Sequence, residues 1–322
     1  MRSAYLKMTV ASVLFGSYLV ASKLILKEAP VYTASLVRLV SAAVALGLYV
    51  CLKNPGGWRP PGLRDCLLLG TQALLGVFLF SIFAMMGVSM TGGIESGAIL
   101  STVPIAMSFI ALVFFQERPS AGRILGIALS VAGAAFISAM AAQRPSAGVE
   151  GGTFWGSLLL CCAVLCEAVF LTFGRFLSQP LAPERLSLTL AVLGAMLFAV
   201  PASRESHGLL HASYSWQTWA LMIYTGVAIN GVAAVLMYGS LNLVDITVAS
   251  AFTALTPISG TVLSMLFLRE GLHVYHVVGM ALIVMGVFIV ARGQAWPRRQ
   301  CDPGVSPLHL TRQPRLPRTA RI

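Results

Sequence analysis

The sequence predicts an all-α integral membrane protein of ten transmembrane helices, arranged as two inverted five-helix repeats. Three observations predict it. Of 322 residues, 57% are hydrophobic and 10% charged, whereas soluble domains carry about 45–50% apolar and about 25% charged residues. Apolar stretches of roughly 20 residues, the length a bilayer demands, recur along the whole chain. The first half of the chain also matches the second at a fixed offset.

Each span is set off by Gly, Pro or charge. The first, 8–26, ends at Lys27, Glu28 and Pro30. Met1 to Lys7 with the apolar run behind it imitates a signal peptide, but with so many spans following it reads as an uncleaved first helix. The second, 32–52, ends at Lys53 and a Gly- and Pro-rich stretch to Gly62, and the third, 66–87, gives way to Thr91, Gly92 and Gly93. The fourth, 93–116, stops at Glu117, Arg118 and Pro119, and the fifth, 121–140, at Arg144 and Pro145. The sixth, 154–174, runs from Gly151 and Gly152 to Arg175, and the seventh, 186–203, lies between Pro183 and Arg204. The eighth, 217–238, is followed by Asn242 and Asp245. The ninth, 246–268, ends at Arg269, Glu270 and Gly271, and the tenth, 274–292, runs into an Arg- and Pro-rich tail.

The formal net charge of +11 reads as topology, not as nucleic-acid binding. With the N-terminus inside, sixteen Lys and Arg fall on inner segments and five (Lys23, Lys27, Arg144, Arg204, Arg269) on outer ones. This places both termini in the cytoplasm of a multi-pass plasma (inner) membrane protein. The tail, 293–322, is too polar to fold alone and is expected to be disordered, lying on anionic lipid. Cys51, Cys66, Cys161, Cys162 and Cys166 sit in or beside apolar runs and behave as small hydrophobes. Their spacing suits neither a disulfide framework nor a zinc site, so no metal and no cofactor is expected.

The repeat is the strongest signal. Shifted by 153, Pro104 falls on Pro257, Glu117 on Glu270, Gly126 on Gly279, Ala128 on Ala281, Leu129 on Leu282 and Gly133 on Gly286. Shifted by 152, Gly16 meets Ala168, Tyr18 meets Phe170 and Lys23 meets Arg175. Residues 1–140 thus form one unit and 154–292 a second, joined by 141–153. Because each unit has an odd number of helices, the second enters the membrane from the opposite side, a recurrent plan of secondary transporters.

The FGSYLVASK run ending at Lys23, Arg38 in the second helix, the paired Pro-x12-Glu segments and the Gly-x6-Gly helices after them resemble the EamA family of the drug/metabolite transporter superfamily. The resemblance covers about residues 5–292. It implies ten helices in two inverted repeats and export of amino acids or other small metabolites. The acids stand in FQER and LREG, where the family more often has Leu-Gly-Glu.

Glu167 lies deep in the sixth span, where a carboxylate costs on the order of 3 kcal/mol to insert, so it should face a cavity or a partner. A proton- or amine-binding acid and a structural ion pair both fit. Arg38 lies about 9 Å below the outer surface at 1.5 Å per residue. It suits a substrate carboxylate, or a structural or gating contact to carbonyls or to Glu167. Pro104 and Pro257 free carbonyls within matched helices. Around them Gly97, Ser101, Ser250 and Thr253 either present polar groups to a cavity or bond back to their own helices. Ser17, Tyr18, Tyr224 and Asn230 are cavity ligands or interhelical hydrogen bonds.

Lys23 and Arg175 are expected to snorkel, Glu117 and Glu270 to cap, and Glu95 to suit the start of its own helix. His207, His211, His273 and His276 are expected to be solvated loop residues. No HExxH, GxSG or phosphate loop points to an enzyme. The expected function is secondary transport of a small polar solute by alternating access, with proton antiport as the coupling. A facilitative exchanger or a non-transporting scaffold or sensor are the alternatives. The expected partners are the solute, a proton and the bilayer, in a monomer or homodimer.

Overall fold

The computed structural model describes residues 2–53, 62–103, 105–106, 110, 121–142, 152–173, 182–205, 214–241 and 255–293. Every regular element among them is helical, as a bilayer requires when no water is present to satisfy backbone amides. The helices are α1 (Arg2–Ile25), α2 (Val31–Lys53), α3 (Leu63–Gln72), α4 (Phe80–Met90), α5 (Gly93–Leu100) and α6 (Ala121–Ala142) in the first half. The second half holds α7 (Gly152–Phe173), α8 (Pro183–Ser203), α9 (Trp216–Tyr224), α10 (Ala234–Leu241), α11 (Leu255–Phe267) and α12 (Val274–Gly293). Tyr5–Ile25, Val31–Lys53, Arg64–Met90, Pro183–Ser203 and Trp216–Met237 are long and apolar enough to cross a bilayer, and Ile124–Ile137, Phe154–Phe170, Ile258–Phe267 and Val274–Gly286 are shorter apolar helices.

The two halves interlock instead of standing side by side. α1 packs on α11, α2 on α8, α4 on α7 and α6 on α12, so each of these pairs joins one half to the other. Small residues permit this closeness, since helices in lipid associate chiefly by fit. A Cβ on Gly16 would stand 2.8 Å from the Gly260 nitrogen, which brings α1 against α11. At the α6–α12 seam, a Cβ on Gly133 would stand 2.7 Å from the Gly279 carbonyl, and Gly286 lies against Gly126 in the same way. Ser130 closes the seam by donating to the Ile283 carbonyl at 3.1 Å. α1 and α7, which correspond in the repeat, run in opposite directions: α1 runs along α4 in the same sense, with Tyr18 linked through Arg38 to Ser81 and Lys23 bonded to the Thr91 carbonyl, whereas early α7 residues Gly156 and Leu160 pack on Met90 and Gly87 and its later Phe170 on Gly76.

α3 and α4 are joined by a π-helical stretch, Ala73–Leu79, and α9 and α10 by another, Thr225–Ala233. They begin 152 positions apart, the offset that aligns α1 with α7. Wider turns of this kind gather at functional sites. Gly76 in the first lies against the Phe170 side chain of α7, and Gly226 in the second against the Arg38 carbonyl and Ser41 of α2. Each π stretch is thus a place where one half is pressed into the other.

Candidate functional site

The central cluster contains Tyr18 and Leu19 of α1, Val88 of α4, Ile99 of α5, Leu160, Val164 and Ala168 of α7, and Ile229 of the second π stretch, with Tyr224 packed against it. Arg38 reaches Tyr18 at the edge of this cluster and is only 5% exposed. Its Nη1 donates to the Tyr18 hydroxyl at 2.9 Å and its Nη2 to the Ser81 hydroxyl at 2.6 Å. Its Cζ stands 5.3 Å from the Tyr18 ring centroid, within cation–π range. Ser81 passes its own proton to the Val77 carbonyl. No carboxylate pairs with Arg38 among the described residues, and its Nε has no acceptor. The Tyr18 oxygen accepts from Arg38, and its proton has no acceptor among the described residues.

Tyr224 and Ser17 share a hydrogen bond of 2.8 Å between α9 and α1. Ser17 donates to the Leu14 carbonyl at 2.6 Å, so Tyr224 is the donor of the pair. At the position equivalent to Tyr224 in the first half, Gln72 is 1% exposed and donates to the Phe170 carbonyl of α7 at 3.2 Å. The two π stretches are therefore entered by matched polar contacts across the halves. Glu167 is half-buried, on the α7 face that carries Leu160 and Val164, since residues seven and three apart share a side. It has no hydrogen-bond or ion-pair partner among the described residues, so the pairing with Arg38 weighed above is not formed.

Of the other sequence candidates, Asn230 is half-buried in the second π stretch. Gly97 is buried with Leu19 Cδ1 3.1 Å from where its Cβ would be. Ser101 bonds back to the Ala98 carbonyl at 2.6 Å, where α5 gives way to a turn at Ser101 and Thr102. Pro257 is the third residue of α11. Pro104, Ser250 and Thr253 lie outside the described residues. Sequence reading missed Ser81 and Gln72. Gln72, an amide within an apolar run opposite Tyr224 at the 152 offset, carried a usable signal; Ser81 did not.

Two expectations at the other end of the bundle are corrected. Lys23 does not snorkel: its ammonium meets Glu270 at 2.8 Å and donates to the Thr91 carbonyl at 2.9 Å. His276 is no solvated loop residue, being 4% exposed in the first turn of α12 with its Nε2 3.7 Å from Glu95. Glu95 does serve its own helix start, accepting from the Gly92 N–H at 2.8 Å. Glu28, between α1 and α2, accepts from Thr218 and Ser215, and these bonds hold its carboxyl below the ordinary glutamate value. A groove of about 430 Å³ at this end is lined by Tyr32, Phe78, Val200, Pro201, Arg204 and Glu205, none of them a sequence candidate.

The profile of the EamA-like transporter family matches this chain twice, over residues 2–139 and 154–292. The chain belongs to that family. This EamA-like protein is 29% identical over 290 residues to the "uncharacterized transporter YetK" of Bacillus subtilis, covering 89% of this chain and 86% of that one. It is 27% identical over 239 residues to the "uncharacterized transporter YcxC" of the same organism, covering 72% and 75% respectively. A protein of known crystal structure, 18% identical, superposes with a TM-score of 0.61 over 89% of this chain and 98% of its own, a likeness of fold. The EamA-like chain is a multi-pass membrane transporter, with the two-repeat, ten-helix architecture of its family.

Proposed function

We propose that this transporter is a secondary carrier of the plasma (inner) membrane, with both termini cytoplasmic, that exports a small polar or zwitterionic solute of amino-acid type by alternating access. The observation that carries this reading is the pair of unspent donors at the centre of the bundle. Arg38 Nε–H and the Tyr18 hydroxyl proton belong to a site whose guanidinium has no carboxylate partner among the described residues. A solute carboxylate supplies the missing charge, and Arg is suited to hold it through its planar fork. Glu167, without a counter-ion among the described residues, is the complementary site for a solute ammonium or an exchanged proton.

Purified protein in liposomes tests the reading. Saturable, counterflow-competent movement of labelled amino acids or related metabolites is expected; no movement with any solute of such a panel overturns it. For the coupling, Glu167→Gln is expected to abolish pH-driven accumulation. Uphill movement by Glu167→Gln with unchanged pH dependence removes the proton from the mechanism.

A further inference from the structure

Beyond the central site, the bundle end that carries Lys23, Glu28 and Glu205 is closed by carboxylates reaching from one half to helix starts in the other. Glu28, from the first half, accepts from the Ser215 N–H at 3.0 Å, the Ser215 hydroxyl at 2.8 Å and the Thr218 hydroxyl at 2.7 Å, at the start of α9. Glu205, from the second half, accepts from the Tyr32 N–H at 3.1 Å, the Thr33 N–H at 2.8 Å and the Thr33 hydroxyl at 2.6 Å, at the start of α2. Glu270, also from the second half, accepts from the Gly93 and Ile94 N–H groups at 2.8 and 3.1 Å, at the start of α5, while pairing with Lys23 of α1. Helix starts carry unsatisfied N–H groups and partial positive charge, so a carboxylate there is doubly favoured.

Two further features mark this end as a latch. Arg269, immediately before Glu270, has φ 54°, and no other described non-glycine residue has a positive φ. Such a conformation persists only where its surroundings enforce it, and here the turn delivers Glu270 to α5. The repeat supplies an internal comparison as well. At the 152 offset Glu205 corresponds to Lys53 and Tyr32 to Glu184, so the opposite end's counterpart of the Glu205 cap is the Lys53–Glu184 pair. That pair is a single contact of 3.3 Å with the Lys53 side chain 56% exposed. Equivalent positions thus make a three-bond cap at one end and one solvated ion pair at the other.

We infer that Glu28, Glu205 and Glu270 form a gate that holds this mouth shut and biases the carrier toward the opposite-facing state. The inference rests on the alternating-access reading above. Parting the two halves at this mouth requires all three carboxylates to leave helix starts in the opposite half.

The test uses the full chain with its native cysteines replaced and Ser17→Cys as a reporter at the centre. A charged, membrane-impermeant thiol reagent is applied to right-side-out and inside-out vesicles. Glu205→Gln and Glu270→Gln are each expected to raise the labelling rate from the latched side at least tenfold and to lower it from the other side. Rates within twofold of the parent overturn the gate, as does an equal rise from both sides, which signals loss of fold. Having both vesicle orientations makes the result independent of which side that mouth faces. In a second measurement, Thr33→Cys with Glu205→Cys, bridged by a short bis-methanethiosulfonate that forms a mixed disulfide at each cysteine and releases methanesulfinate, is expected to stop counterflow until the disulfides are reduced; full counterflow while bridged overturns the gate. If the parent moves no solute, the transport reading fails, and the labelling result still decides whether the mouth is latched.

Discussion

Replacing Arg38 with Met separates a solute-binding guanidinium from a structural one, because the structural terms largely offset each other. The guanidinium makes two charge-assisted hydrogen bonds, to Tyr18 and Ser81, each worth about 1.5–3 kcal/mol. Against this stands the cost of holding an unpaired Arg within the membrane, about 2.5–3.5 kcal/mol on insertion scales. Ser81 keeps its bond to Val77 after the change, and Met fills most of the vacated space. Arg38→Met is therefore expected to destabilise by no more than about 3.5 kcal/mol, and at the low end of the bond energies to be neutral. A solute carboxylate that had used the unspent donors loses one charge-assisted bond, about 1.5–3 kcal/mol, or roughly ten- to hundredfold in apparent affinity. Thermal unfolding in detergent measures the first quantity, and half-saturation of counterflow in liposomes measures the second. An unchanged half-saturation constant refutes the solute role. A stability loss above about 4 kcal/mol refutes the balance of terms and makes Arg38 a clamp.

Gly226→Ala places a Cβ into both the Arg38 carbonyl and the Ser41 hydroxyl, and is expected to destabilise by about 1–3 kcal/mol in thermal unfolding. Adding Ser41→Gly leaves the backbone overlap and should not rescue it. In Gly76→Ala the nearest atoms all belong to the Phe170 side chain, so the loss caused by Gly76→Ala is expected to shrink when it is measured in a Phe170→Ala background. Glu28 has a depressed carboxyl value, so its contribution is present above the ordinary glutamate value of about 4.3 and is lost as the pH falls through the lower folded value. Unfolding scans from neutral pH downward should show Glu28→Gln with a flatter acid limb than the parent; parallel limbs count against the cap.

The membrane fold was legible because it is written in local pattern: apolar length gives the spans, and the Pro, Gly and Glu alignment gives the inverted halves. Tyr18, Ser17, Tyr224 and Arg38 were legible as polar groups too deep for topology, and the structure brings these four close together. Their partners were not. Ser81 is one hydroxyl among many, and only the crossing of α2 and α4 gives it a guanidinium. Lys23 looks like any cation at a helix end, and its fate is set by Glu270, 247 positions away. The π stretches have no residue signature in a single sequence; the widened turns follow from glycines pressed against the opposite half.

The glycine seam between α6 and α12 is self-complementary: exchanging the halves turns the Gly133–Gly279 contact into the Gly286–Gly126 one. An interface of that kind needs one sequence pattern to make both of its sides. A five-helix chain inserted in both orientations would already carry what the seam requires, and fusing two copies end to end leaves it intact. The charges at the centre obey no such rule. Arg38 has Leu190 as its counterpart and Glu167 has Phe15, so duplication frees each half to specialise there while the seam ties both to a common shape.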